Sequence, residues 1–383
     1  MKFSFLALPL LAILTISAAS AEAPELRVGY TMSATGSAAA LGVPQKNSTE
    51  LLPTEIGGIK AKYFVLDDGS DGTRAVANAR KLITEDRIDV LVGSTIAPTT
   101  FPLVDLAAEV RIPLIATHPS ARLVEPLDDK RRWVFKVVPN DSLMADAIAA
   151  NMAKDGIKTV AFIGFNDAFG DSWYAEIEKA LGQWGIKLLA RESFSRTDTS
   201  VTGQILKIIA ASPNAVMVGA SGTPAALPQK TFKERGFTGP IYHTNGVATK
   251  EFIRVAGKDA EGVVLPVGPI TVADQLPDSH PIKALALDYI KRYEERFNIP
   301  YAAFGAHITD AARLLGKAVP AALKTAQPGT PEFRVALRDA LETVQDAVMI
   351  NGILTLSPIN HCGYDERARM MVQIKDGNFK LLP

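Results

Sequence analysis

Short apolar runs that alternate with longer helical stretches limit the fold of this sequence more than any other feature. In the first third of the chain the strand-like runs lie at 26–30, 62–66, 88–92 and 113–116. The stretches between them have helical spacing of apolar residues and lie at about 44–55, 73–86 and 99–110. Because mostly apolar strands separated by helices are buried on both faces, this pattern predicts a parallel sheet with helices on each side.

The same alternation begins again in the middle of the chain. Strand-like runs lie at 159–164, 186–190, 215–218, 240–243 and 262–265. Helices are predicted at about 171–184, 200–211, 224–236 and 249–256, and Asp171 or Ser172 is predicted to cap the first of these. The sequence therefore predicts two doubly wound, Rossmann-like α/β lobes.

The last third of the chain has a different pattern. Three helices without intervening strands are predicted at about 282–297, 301–319 and 331–346, and β-structure is predicted from 353 to 382. Strand-free helices need a sheet to pack against, so we expect them on the first lobe. The chain would then cross between lobes near 139, 267 and 350. This division assigns 22–139 plus 268–349 to lobe 1, and 140–267 plus 350–383 to lobe 2.

The amino terminus is typical of a secretory signal peptide. Lys2 precedes a nearly continuous apolar run, and Ala19-Ser20-Ala21 is a small-residue cleavage signal. We expect residues 1–21 to be removed after Ala21 and the mature protein to be exported. Because no cysteine stands at the cleavage point, a lipid-modified amino terminus is not expected.

Charge and cysteine content exclude several classes of function. The chain has 41 Lys and Arg against 41 Asp and Glu, so it lacks the basic excess that nucleic-acid binding requires. Its single cysteine, Cys362, excludes an intramolecular disulfide and a thiolate metal framework, and we expect a buried or idle thiol. No Walker A, Gly-x-Gly-x-x-Gly, His-Glu-x-x-His or Gly-x-Ser-x-Gly motif occurs. We therefore predict no cofactor, no metal and no catalytic residue.

Two loops that follow predicted strands are rich in hydroxyl groups. One spans 93–100 and leads into a helix, and the other spans 117–120. Ligands of open parallel sheets bind beyond the carboxyl ends of the strands, and helix N-termini with nearby hydroxyls favour anions. The two loops indicate a carboxylate site, although each Ser or Thr could instead cap a helix or a turn.

Several segments, in their order and spacing, resemble one known family over the whole mature chain. They are 28–42, 66–71, 93–115, 167–170 and 242–246. The chain resembles the type I periplasmic solute-binding proteins of the branched-chain amino-acid (leucine/isoleucine/valine-binding) family. The resemblance implies two Rossmann-like lobes, joined by three crossovers, that close on a small-molecule carboxylate ligand. It also implies a periplasmic location, a membrane ABC permease as partner and, we expect, a monomer.

The resemblance also implies where the ligand binds. In the first lobe the implied positions are Leu41, Ala97, Thr99, Thr100, His118 and Ser120, and in the second they are Phe169, Ser221, Thr223, Asn245 and Gly246. Ala97 stands where many relatives have a hydroxyl, and Thr99 or Thr100 is the alternative donor. Leu41 would offer apolar contact only, and Phe169 would contact an aromatic ring of the ligand.

Asn245 departs from the pattern of amino-acid binders, which typically have a carboxylate there to pair the ligand's ammonium. Burial of an ammonium without an opposite charge is unfavourable by several kcal/mol. Segments 274–281 and 361–369 also resemble a subgroup that takes up aromatic acids. We therefore predict an aromatic carboxylate such as a benzoate, hydroxybenzoate or phenylpropenoate. A branched-chain or other aliphatic amino acid is the alternative, followed by a sensory module and an exported enzyme.

Overall fold

The computed structural model describes residues 24–383. The predicted signal peptide at 1–21 lies outside this range. Among the described helices, none combines the length and the apolar character that crossing a membrane demands.

A six-stranded sheet forms the first lobe. Numbered in chain order, its strands are β1 Glu25–Met32, β2 Glu55–Ile56, β3 Ile59–Asp67, β4 Val90–Val92, β5 Leu114–Ala116 and β6 Val134–Lys136. They are ordered β2-β3-β1-β4-β5-β6, and all pair in parallel except β2 with β3. The helices of this part are α1 Ala39–Ser48, α2 Gly72–Thr84 and α3 Ala97–Glu109. Helix α1 thus begins earlier than the predicted 44, which brings Leu41 into its first turn.

A seven-stranded sheet forms the second lobe. Its parallel strands are β7 Thr159–Phe165, β8 Lys187–Phe194, β9 Ala215–Gly219, β10 Ile241–His243 and β11 Val264–Val267. The accompanying helices are α4 Asp141–Lys154, α5 Ala168–Gln183, α6 Thr202–Ala210, α7 Ala226–Glu234 and α8 Lys250–Ala256. The parallel part is ordered β8-β7-β9-β10-β11. The prediction of two doubly wound lobes is confirmed, although helix α4 was not predicted.

The C-terminal third of the chain contributes helices to the first lobe and strands to the second. Helices α9 Lys283–Phe297, α10 Ala303–Ala322 and α11 Pro331–Leu341 precede a hairpin of β12 Ala347–Met349 and β13 Gly352–Leu354. Side chains of α10 and α11 share one apolar cluster with strands β1 and β4, as expected for helices that pack on the first sheet. Strands β14 Met370–Lys375 and β15 Asn378–Leu381 then extend the second sheet in antiparallel fashion from β11.

The third crossing between lobes lies later than the predicted position near 350. The His361 ring stacks on Phe135 with centroids 4.1 Å apart, and its Nδ1 lies 2.9 Å from the Val134 carbonyl. The Tyr364 hydroxyl donates to the Val137 carbonyl at 3.2 Å. Residues 350–364 therefore belong with the first lobe, and the chain crosses between 364 and 370. The assignment of 350–383 to lobe 2 was wrong for this segment, because a short β-run does not reveal which sheet it joins.

Helix α5 also begins earlier than predicted. Asp167, not Asp171 or Ser172, is its N-cap, and the Asp167 Oδ1 accepts hydrogen bonds from the Phe169 and Gly170 amides at 2.9 and 3.3 Å. The earlier start places Phe169 in the first turn of the helix, directly after the carboxyl end of β7.

Candidate ligand-binding cleft

The strand orders place a crevice at equivalent points in the two lobes. The parallel strands of each sheet have the 2-1-3-4-5 order. The direction in which successive strands are added to the sheet therefore reverses between β1 and β4 in the first lobe and between β7 and β9 in the second. Loops that leave the carboxyl ends of such strands diverge and open a ligand crevice. All the sequence-predicted positions lie in the segments that follow these and the neighbouring strands. Those that lie in the first turn of a helix are Leu41, Ala97, Thr99, Thr100 and Phe169.

These loops meet across the boundary between the lobes. The Ser120 hydroxyl, in the loop after β5, lies 2.8 Å from the hydroxyl of Ser172 on α5. Ala97 belongs to α3 of the first lobe but packs in the apolar cluster of the second. Leu41 lies 3.9 Å from the point that a Cβ on Gly222 would occupy. The cleft is therefore bounded by side chains of both lobes.

The first lobe presents an apolar wall rather than a row of free hydroxyls. Leu41 packs with Ala38 and Ile96, and Phe304 covers this small cluster. The buried hydroxyls of Thr99 and Thr100 donate to the Ile96 carbonyl at 3.0 and 2.8 Å. The prediction that these hydroxyls donate to a ligand carboxylate is therefore not supported, because their protons complete the first turn of α3.

His118 presents one unpartnered donor beside Phe169. The Ser120 amide donates to His118 Nδ1 at 3.3 Å, so the neutral ring carries its proton on Nε2. Burial, together with the cations of Lys136 and Arg196, holds the pKa of His118 well below its ordinary value. Its buried Nε2 has no hydrogen-bond partner among residues 24–383. The ring meets Phe169 edge-on, with centroids 5.7 Å apart.

Arg196 is a site residue that the sequence prediction missed. It follows β8 and stacks on Phe165, with Cζ 4.0 Å from the ring centroid. Its Nε donates to Asp167 Oδ2 at 2.7 Å and its Nη1 to the Ser221 hydroxyl at 3.4 Å. The side chain is only 10% exposed, and burial lowers its pKa against the opposing effect of Asp167.

One guanidinium nitrogen of Arg196 remains unused. Its Nη2 is buried and has no partner in the described part of the chain, and Cζ lies 5.8 Å from the Phe169 ring centroid. His118 Nε2 adjoins the same ring from the first lobe. Two buried donors without an acceptor in the described residues, one from each lobe, thus belong to side chains next to Phe169, and one of them is on a guanidinium cation. This arrangement can bind an anion, above all a carboxylate.

A second buried cation stabilises the loop that carries His118. Lys136 Nζ donates to the carbonyls of Pro119 and Ser120 at 2.6 and 3.1 Å. Ser172 donates to Asp141 Oδ2 at 2.6 Å, and the Ala121 amide donates to Asp141 Oδ1 at 2.8 Å. Burial raises the pKa of Asp141, and the charge of Lys136 opposes that rise. Ser120 therefore bridges the lobes through this network and is not a free donor.

The remaining predicted residues follow β9 and β10. The Gly222 amide donates to the Gly246 carbonyl at 2.9 Å, which joins the two loops. A Cβ on Gly246 would lie 2.5 Å from the Cβ of Ser221, so only glycine fits there. Thr223 lines an open groove together with Gly36 and Val43.

Asn245 brings no charge to the site. Its Oδ1 is buried and, within residues 24–383, accepts no hydrogen bond. Cys362 lies away from the cleft loops, where its thiol is 3.6 Å from the Val138 carbonyl and burial raises its pKa. No group of three or more His, Cys, Asp or Glu side chains in the described residues is arranged to hold a metal ion.

Two doubly wound lobes that meet over a polar cleft define the type I fold of periplasmic binding proteins. Residues 25–377 match the family model described as Periplasmic binding protein. The chain therefore belongs to this family, and the predicted resemblance is confirmed at that level.

Individual relatives agree with this assignment. The chain is 24% identical over 212 residues to the leucine-, isoleucine-, valine-, threonine-, and alanine-binding protein of Pseudomonas aeruginosa, an alignment that spans 55% of this chain and only 56% of that relative. An extracellular ligand-binding receptor from Rhodopseudomonas palustris HaA2 is 47% identical, with a TM-score of 0.91 over 94% of this chain and 100% of that one. A solute-binding protein of an ABC transporter from R. palustris, solved with benzoate, is 21% identical, with a TM-score of 0.80 over 94% and 95%.

Proposed function

We propose that this chain is the periplasmic solute-binding component of an ABC importer and that its ligand is a small aromatic carboxylate. The observation that carries the proposal is the pair of buried, unpartnered donors, Arg196 Nη2 and His118 Nε2, of which both parent side chains contact Phe169. A buried donor without an acceptor is unfavourable by about 1–3 kcal/mol. A ligand carboxylate between them removes that penalty for both.

The position of the two donors links ligand binding to closure of the lobes. His118 belongs to the first lobe and Arg196 to the second, so a carboxylate contacts both only when the cleft is closed. A ligand shifts a conformational equilibrium by the difference in its affinity for the two states. The ligand therefore favours the closed form, which is reached by hinge motion between the lobes. We propose that the closed form then docks on a membrane permease.

The surroundings of the carboxylate site favour an aromatic ring. Phe169, Leu41 and Phe304 present apolar surface from both sides of the cleft. Edge-on or offset contacts between aromatic rings contribute about 0.5–1.5 kcal/mol beyond the burial of area. The benzoate-bound neighbour shares the fold, which is compatible with such a ligand.

An α-amino acid would leave its ammonium without a counter-charge here. Asn245 is neutral, and the carboxylate of Asp167 is already engaged by Arg196 and by two amides of α5. The name of the P. aeruginosa relative nevertheless keeps aliphatic amino acids as the second candidate.

A binding screen with matched variants tests the proposal. Calorimetric titration of the purified mature chain with benzoate, 3-phenylpropenoate, leucine and valine should give heat with an aromatic acid and none with the amino acids. Arg196→Gln should abolish that heat, whereas Arg191→Gln should keep it, because Arg191 lies on the surface beside Asp171. Binding of leucine without any aromatic acid would overturn the proposal. Ligand recovered unchanged after incubation would separate binding from turnover, and size-exclusion chromatography would test the expected monomer.

A further inference from the structure

A small cavity lies where the chain passes between the lobes, next to the carboxylate site. Val138 and Val267, at the first two crossings, form part of its lining. Pro119, the neighbour of His118, and Asn245, the neighbour of Gly246, also line it. Phe304 belongs both to this lining and to the apolar wall with Leu41. The cavity therefore adjoins the apolar wall, and Arg196 is not part of its lining.

Three polar atoms in the lining have unused hydrogen-bonding capacity. Asn245 Oδ1, Thr271 Oγ1 and His307 Nδ1 are buried, and none has a partner in the structure of residues 24–383. The amide oxygen only accepts, the hydroxyl can donate and accept, and the imidazole nitrogen can do either according to its tautomer. Buried groups of this kind are rarely left unsatisfied, so three in one cavity point to a polar occupant.

The charges nearby restrict that occupant to a neutral group. His307 is 7% exposed, and burial lowers its pKa to about 3, so its ring is uncharged. Asp310 accepts from the Ile350 amide at 2.7 Å and from Asn351 Nδ2 at 2.8 Å, so its carboxylate is already engaged. Arg313 donates to the Val348 carbonyl at 3.0 Å. A group that both donates and accepts one hydrogen bond, such as a hydroxyl, suits the three atoms.

We propose that this cavity binds a hydroxyl group at the end of the ligand opposite its carboxylate, so that the ligand is a phenolic acid. The inference rests on the proposed function, because the ring must first be oriented by its carboxylate at Arg196 and His118. The phenol would donate to Asn245 Oδ1 and accept from Thr271 or His307. Selectivity of this kind is strong because a ligand without the hydroxyl leaves these atoms unpaired.

Matched pairs of acids test the subsite. We expect calorimetric titration to show that 4-hydroxybenzoate binds about 5- to 100-fold tighter than benzoate, as the loss of one or two buried hydrogen bonds implies. The same ratio is expected for 3-(4-hydroxyphenyl)propenoate against 3-phenylpropenoate. Thr271→Val and His307→Phe should reduce this ratio and leave the affinity for the unhydroxylated acid within about threefold. Thr309→Val removes another buried, unpartnered hydroxyl from α10 outside the cavity lining and should leave the ratio unchanged.

The outcomes separate this inference from the proposed function. Equal affinities within both pairs of acids would overturn the phenolic subsite and leave the aromatic carboxylate proposal intact. The subsite would also be overturned if the Thr271 and His307 variants kept the wild-type ratio of affinities between hydroxylated and unhydroxylated acids. Binding of leucine with no aromatic acid would overturn both.

Discussion

Replacing Arg196 with glutamine should remove carboxylate binding while leaving the fold intact. The guanidinium is buried on Phe165, and its Nη2 has no acceptor within residues 24–383. Truncation of one partner of a buried, hydrogen-bonded charge pair costs about 2–5 kcal/mol of binding free energy. At about 1.4 kcal/mol per tenfold, Kd for the acid should rise by roughly 30-fold to several thousand-fold.

The ligand-free protein should change far less in stability. Removal of the guanidinium relieves an unsatisfied buried donor, a gain of about 1–3 kcal/mol, and loses a charge-assisted bond to Asp167 of about 1.5–3 kcal/mol. Asp167 keeps its hydrogen bonds from the Phe169 and Gly170 amides and therefore stays satisfied. These two contributions have opposite signs, and the lost stacking on Phe165 with the long hydrogen bond to Ser221 adds about 1 kcal/mol to the cost. The free energy of unfolding should therefore fall by no more than about 3 kcal/mol.

Calorimetric titration and urea unfolding of the same preparations check both parts. Arg191→Gln is the control, because it removes an arginine whose partner Asp171 is more than half exposed. An Arg196→Gln variant that binds the acid as tightly as the wild type would refute the assignment of Arg196 to the carboxylate. A variant that loses binding only because it unfolds would be identified by its urea midpoint.

Three further predictions follow from the same geometry. Asn245→Asp should raise Kd for an aromatic acid about tenfold or more, because it adds a second buried negative charge to the site; an unchanged titration would remove Asn245 from the site. The pKa of His307 is about 3 in the folded state, below the ordinary 6.5, so its stabilising contribution is complete above pH 6.5 and is lost as pH falls toward 3. The wild type should therefore lose about 2 kcal/mol more stability than His307→Phe between pH 7 and 5, and parallel urea-unfolding profiles would contradict this. Gly246→Ala should lower both melting temperature and affinity because its Cβ would clash with Ser221, whereas Gly182→Ala, with open space around it on α5, should slightly raise the melting temperature.

The alternation of strands and helices was sufficient to predict both parallel sheets, because buried parallel strands are distinctly apolar. Helix α4 was missed for the opposite reason. It is rich in alanine and buried over much of its surface, so no amphipathic periodicity marks it. Of the hairpin at 347–354, β12 was not predicted and β13 was predicted in part but placed with the second lobe, since pairing partners are not encoded in a short local pattern.

The cleft was predicted less completely than the fold. The loops that follow the strands meet as predicted, and their role in ligand binding stays a prediction, but the hydroxyls of Thr99 and Thr100 donate within their own helix. Arg196 was overlooked because the edge strand β8 was predicted to end at 190, before its polar residues 191–193. Had the strand been extended to 194, Arg196 would have stood in the first loop residues at the ligand edge. Whether a polar side chain is free to bind a ligand depends on the groups around it in the folded protein, and residue type alone does not reveal it.

The late third crossing has a consequence for how this polypeptide matures. β11 pairs with β14 through Val264 and Gln373, and the Lys136 amide donates to the carbonyl of His361 at 2.9 Å. In both lobes, therefore, the last parallel strand gains its outer neighbour only from residues after 360. Such long-range closure slows folding relative to synthesis. Neither lobe can therefore complete its sheet before residues 361–373 have been synthesised.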